Sequence, residues 1–139
     1  MLLLCRTNFL MVMYTIDLNE DDFLRVVADY HLPSNQRHYL GDRPAIVDFH
    51  ASWCGPCRVL GPMLEEIAAA YKGDIYVYKV DIDECEALAD AYDIRSIPTT
   101  LFLPMRGQPV RMVGAIHRHE IERLVKEVLL KGRLHHAVL

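Results

Sequence analysis

Two of the four cysteines, Cys54 and Cys57, are separated only by Gly55 and Pro56, and Trp53 stands directly before them. The run Ala45-Ile46-Val47-Asp48-Phe49-His50 is short, apolar and β-branched, and a helical pattern begins at the cysteines. The pair therefore lies where a buried strand turns into a helix. The first amides of a helix have no partner inside it and point outward. Those N–H groups and the helix dipole favour a thiolate at Cys54, and only a thiolate attacks a disulfide. Cys57 returns beneath Cys54 within the first turn, near enough to close a small ring. Pro56, early in the helix, tolerates its missing N–H and stiffens the turn. Zinc uses the same C-x-x-C spacing, but a structural zinc site needs two further ligands with close spacing of their own. Cys5 and Cys85 stand singly, and His117, His119, His135 and His136 lie on or after the last helix with no cysteine beside them. The spacing points to a redox dithiol, with no metal and no cofactor expected.

Other residues carry weaker signals. Asp48 is an acid inside an apolar strand. If buried without a partner its pKa rises, and it exchanges protons near neutral pH; strand alternation leaves open a solvent-facing Asp48. Lys79, in Tyr78-Lys79-Val80, reads most simply as a surface lysine. Pro98 follows Ile97 between a helix and a strand, and the residues alone favour an ordinary trans turn. Gly114 fits a strand-end bulge.

These residues need a scaffold. Phe23, Val26, Val27 and Tyr30 fall on one helical face, with Glu20, Asp21 and Asp22 in the first turn, where the dipole favours acids. Residues 31–43 hold Pro33, Ser34, Asn35 and Gly41 and read as a loop. A strand over 45–50 leads to a helix over 54–71, with Gly73 past its end and a kink expected at Pro62. A strand over 75–82, a helix over 84–92, and strands over 99–103 and 110–114 follow, the last two joined by a hairpin turn over 105–108. A helix over 116–130 closes the pattern, and one more strand at 14–17 fits in front. Crossovers imply parallel pairing of the first core strands, and the hairpin adds antiparallel ones. The expected class is α/β, a mixed central sheet with helices on both faces.

The chain has 139 residues, about one domain, and should bury roughly two thirds of its unfolded surface without disulfide staples. The division expected is an N-terminal extension over 1–18 containing the possible first strand, a domain over 19–131 and a tail over 132–139. A net charge of −4 excludes a large basic footprint for nucleic acid. The apolar start is interrupted by Arg6, Thr7 and Asn8 and is too short to span a bilayer. It lacks the charge and cleavage pattern of a secretory signal, and a start at Met11 or Met13 is the simpler reading.

The segment from Ile46 through Trp53-Cys54-Gly55-Pro56-Cys57 to Arg58 resembles the active-site strand and turn of the thioredoxin family. Arg95-Ser96-Ile97-Pro98-Thr99 and Val113-Gly114-Ala115 are similar to that family's two other substrate-facing loops. The likeness runs from about Ala45 to about Lys131, and three separated motifs in order are far more specific than C-x-x-C alone. The resemblance implies a thioredoxin fold and general protein-disulfide reductase activity, an electron carrier in redox homeostasis. It implies Cys54 as nucleophile, Cys57 as resolving cysteine, Asp48 as proton relay and Lys79 as a weaker tuning cation. It implies a cis Pro98, and a substrate surface of Trp53, Gly55, Pro56, Ile97, Pro98 and Gly114, with Trp53 an apolar shield over the dithiol.

One departure is His50, where the family often has an aromatic residue. It would pack in its neutral form or add a titrating group. Arg58 keeps a positive charge beside the site. Cys85, between Glu84 and Glu86 at a helix start, should be a sluggish thiol because the acids oppose its thiolate. Cys85 and Cys5 are expected to be structural spectators, with redox regulation the lesser reading. The partners expected are disulfide-bearing proteins and a recycling reductase such as thioredoxin reductase, with a monomeric, cytoplasmic protein and no nucleic acid or membrane span. Two alternatives stay open: an exported, periplasmic relative using the same site, and a binding subunit that uses the Trp53, Ile97 and Gly114 surface without turnover.

Overall fold

The computed structural model describes residues 13–132. Cys5, the possible start at Met11 and the tail beyond Gly132 lie outside the described residues. Among the described residues five strands and four α-helices follow one another as β1 (Ile16–Asp17), α1 (Glu20–Val26), β2 (Ala45–His50), α2 (Gly55–Ala70), β3 (Tyr76–Asp81), α3 (Glu86–Ala91), β4 (Thr99–Leu103), β5 (Val110–Val113) and α4 (Arg118–Leu124). A wider, π-type turn over Val125–Leu129 continues α4. The sheet order is β1-β3-β2-β4-β5. β3 pairs in parallel with both β1 and β2, whereas β4 runs antiparallel to β2 and β5 antiparallel to β4.

Strand alternation divides the core between the two faces. Val47 and Phe49 of β2 face one side, where Phe23 and Val27 from α1 and its end, and Leu88 of α3, cover them. Ile46 faces the other side, packed with Leu60, Leu64 and Ile67 of α2 and with Ile121 and Leu124 of α4. The helices thus flank a mixed sheet in two layers, as the alternating pattern predicts.

Several ends differ from the periodic reading. Asn19 caps α1 by accepting from the Asp22 amide at 2.7 Å, and the Asp22 carboxylate accepts from the Asn19 amide at 3.3 Å. The apolar face runs on to Tyr30, yet α1 stops at Val26. The Val27 carbonyl accepts from the Leu40 amide at 2.9 Å, and the Asp29 side chain takes the His31 amide at 3.0 Å, so neither group continues the helix. α3 starts two residues later than expected, because the Glu84 amide bonds the Asp81 carbonyl and the Asp83 amide the Asp81 carboxylate. α2 runs on through Pro62 to Ala70, and Gly73 follows with φ +90°.

Candidate active site

The reactive pair sits at the junction of β2 and α2. Cys54 is the residue that caps α2, and its sulfur accepts from the Cys57 amide at 3.2 Å. Cys54 and Cys57 are joined as a disulfide with their Cα atoms 5.3 Å apart, so each sulfur is committed to the other. Ala51, Ile82 and Ile97 pack around them and leave Cys54 only 4% exposed. Cys54 Sγ lies 3.8 Å from the Ile97 carbonyl oxygen. The Ile97–Pro98 peptide is cis, and Pro98 is buried. The Pro98 carbonyl accepts from the Gly114 amide at 2.7 Å, which brings the third loop to the same end of the sheet. Gly114 has φ +91°, a left-handed backbone that alone accounts for a glycine there. Gly55 and Pro56 are exposed at the start of α2.

Asp48 lies in the middle of β2 and is 1% exposed, which excludes the solvent-facing alternative. Burial pushes its carboxyl up to about 6, against a smaller opposing pull from Lys79. Lys79 is its register partner on β3. The Lys79 ammonium reaches across to α2, where it lies 3.6 Å from the place a Cβ on Gly61 would take. His50 is half-buried, and burial, followed by Lys79, lowers its pKa, so the ring packs in its neutral form.

Trp53 stands at the surface beside the pair. It is 64% exposed, and its indole Nε1 donates to the Asp83 carboxylate at 2.7 Å, which holds the ring by one edge at the surface. Asp83 carried no signal in the sequence, since nothing local tells that an acid 30 residues on will meet Trp53. Arg58 likewise turns its guanidinium to the Ser52 carbonyl at 2.9 Å, bracing the turn before the pair. Cys85 is a free, buried thiol whose pKa is pushed up to about 11. The direction agrees with the sequence reading, but the leading cause is burial. Among the acids Glu20 leads, followed by Glu84 and Asp81, and Glu86 has no part. Among the described residues no group of three or more His, Cys, Asp or Glu is placed to hold a metal ion, and no helix is long and apolar enough to cross a membrane.

The family model for Thioredoxin matches residues 16–127. The chain belongs to the thioredoxin family. It is 40% identical over 112 residues to a thioredoxin of Borreliella burgdorferi, covering 81% of this chain and 95% of that one. It is 40% identical over 85 residues to a thioredoxin of Mycoplasmoides gallisepticum, covering 61% and 84%. Among solved structures, chloroplastic thioredoxin z superposes with a TM-score of 0.69 at 27% identity, over 84% of this chain and 96% of that one. The α/β thioredoxin fold and the Cys54–Cys57 pair together make this a thioredoxin-type dithiol oxidoreductase, a protein-disulfide reductase. Membership in the family implies disulfide-bearing substrates and a reductase that reopens the ring.

Proposed function

We propose that the protein is a general, reducing electron carrier in which Cys54 is the nucleophile, Cys57 the resolving cysteine and Asp48 the proton relay. The observation that carries this reading is the Cys57 amide held at 3.2 Å from the Cys54 sulfur, because the same donor stabilises a thiolate there once the ring is open. In the first step the Cys54 thiolate attacks a substrate disulfide and forms a mixed disulfide, and one substrate sulfur leaves as thiolate. Cys57 then gives its proton to the Asp48 carboxylate. Its sulfur attacks Cys54, the Cys54–Cys57 bond forms, the mixed disulfide breaks, and the second substrate sulfur leaves as thiolate. Both released thiolates take protons from solvent. The substrate has gained two electrons and the dithiol has lost two. Lys79 tunes the relay by favouring the ionised form of Asp48.

Trp53, Gly55, Pro56, Ile97, Pro98 and Gly114 form the surface that receives an extended substrate segment. The exposure of Trp53, Gly55 and Pro56 around the enclosed sulfur supports this, as does the Ile97 carbonyl beside Cys54. Residues 19–131 act as the working unit, with the short strand β1 added at its edge. Both redox cysteines come from one chain, so a monomer suffices for turnover. The cytoplasm is the compartment this reading favours, supported by the buried free thiol of Cys85 and the Gly-Pro pair between the redox cysteines, which fit a reducing environment. A thioredoxin reductase is the recycling partner that fits.

The test is insulin reduction together with equilibration against glutathione. Cys54→Ser should abolish insulin reduction, and the pair should equilibrate as a reducing couple. Retained function in Cys54→Ser would make the protein a binding subunit, and a potential close to that of protein disulfide isomerase would remove the reductase assignment.

A further inference from the structure

Among the described residues, three enclosed side-chain polar atoms have no hydrogen-bond partner: Asp48 Oδ1, His50 Nε2 and Thr100 Oγ1. They are not scattered. Asp48 and His50 are two residues apart on β2, so they share the face that α2 covers. Thr100 stands opposite Asp48 in the antiparallel register with β4, next but one to Phe102, which packs on that same face. Buried polar groups are nearly always paired, and an exception calls for a functional account. The three form one polar strip within an otherwise apolar layer. His50 is the member that joins the strip to the outside, because it also lines an open groove of about 420 Å³ together with Cys57, Gly61 and Lys79. Asp48 does not line that groove.

We propose that His50 is the next station of the proton path, taking the proton that Asp48 receives from Cys57 and passing it to solvent through the groove. This rests on the proposed relay role of Asp48. Asp48 and His50 are not hydrogen-bonded to each other, so the proton crosses through one water. The Asp48 carboxylic acid gives its proton to that water as the water gives one to His50 Nε2, the ring becomes imidazolium, and the proton on Nδ1 leaves to solvent. Asp48 is then a carboxylate and His50 neutral, and the cycle is balanced by the release of one proton. The electrostatics suit a transient carrier. Burial and Lys79 keep His50 neutral and ready to accept, while Asp81, its register partner on β3, with Asp17 of β1 and Glu84, stabilises the imidazolium once formed. Arg58 and Glu65 of α2, of opposite charge, line the same groove.

Single-turnover reduction of dithiobis(nitrobenzoate) by the reduced full-length protein tests the proposal, since its first coloured release reports attack by Cys54 and its second reports resolution by Cys57. His50→Phe should leave the first release unchanged and slow the second by about tenfold near pH 7, because a slower route from Asp48 to solvent remains. His50→Gln, which keeps a polar partner but carries no proton, should be slow as well. Added imidazole should restore the second release in both variants, a rescue that a merely structural role would not allow. A second release at wild-type rate in His50→Phe, or slow and indifferent to imidazole in both variants, overturns the role of His50. Asp48→Asn run alongside separates the two claims. A slow second release there with none in His50→Phe removes His50 alone, whereas wild-type resolution in Asp48→Asn removes the relay on which the inference stands.

Discussion

Replacing Asp48 with Asn should stabilise the oxidised protein at neutral and alkaline pH, and the size follows from the burial of the carboxyl. Asp48 is 1% exposed, and its pKa rises from an ordinary 3.8 to about 6. The native state therefore holds the proton more tightly than the unfolded state does. Between those two values the folded protein binds more protons, so its stability falls as pH rises through the window. Well below pH 3.8 the acid is neutral in both states and contributes no penalty. Above about pH 6 the whole penalty is present, about two units at about 1.4 kcal/mol each, or about 3 kcal/mol. Lys79 limits the cost because its charge lowers the shift. Urea unfolding of the oxidised wild type and Asp48→Asn at pH 4 and pH 8 measures the effect, and the difference between the two pH values cancels any constant effect of the amide. The variant should gain about 2.5 kcal/mol on wild type between pH 4 and pH 8, because the unfolded-state acid is already about half ionised at pH 4. A gap that does not change with pH would show that Asp48 is not an enclosed, ionisable acid, and the relay would lose its physical basis.

Other consequences are simpler to read. Cys57→Ser should leave Cys54 able to attack but unable to release its target, so mixed disulfides should accumulate on non-reducing gels; free turnover would refute the order of steps. Gly114→Ala meets no atom within 4 Å but is forced to φ +91°, so it should cost about 1–2 kcal/mol by urea unfolding, and no loss would mean that the loop relaxes. Cys85, with its pKa pushed up to about 11 from 9.0, should be alkylated at least about 100-fold more slowly than an exposed thiol at pH 8 and should speed up in urea. Fast labelling in the folded state would contradict its burial.

The parts of this molecule that the sequence discloses are those whose causes are local. A short apolar, β-branched run places β2, a 3.6-period apolar face places α2, and an apolar strand pattern places β3, each within a residue or two, because each element is buried in the core. Cys54 is legible as a helix cap because its partner, the Cys57 amide, is three residues away. What the sequence withholds depends on residues far along the chain. The end of α1 is set by the Leu40 amide, the position of Trp53 by Asp83, and the state of Cys85 by burial and by Glu20, 65 positions earlier, more than by the adjacent Glu86. The polar strip follows the same logic. Asp48 announces itself as an acid in an apolar strand, but Thr100 becomes its neighbour only through the β2–β4 register, and His50 matters only because a groove opens beside it. A short strand can therefore declare that it holds an unusual acid, while the route by which that acid exchanges its proton is decided by what the fold lays against it.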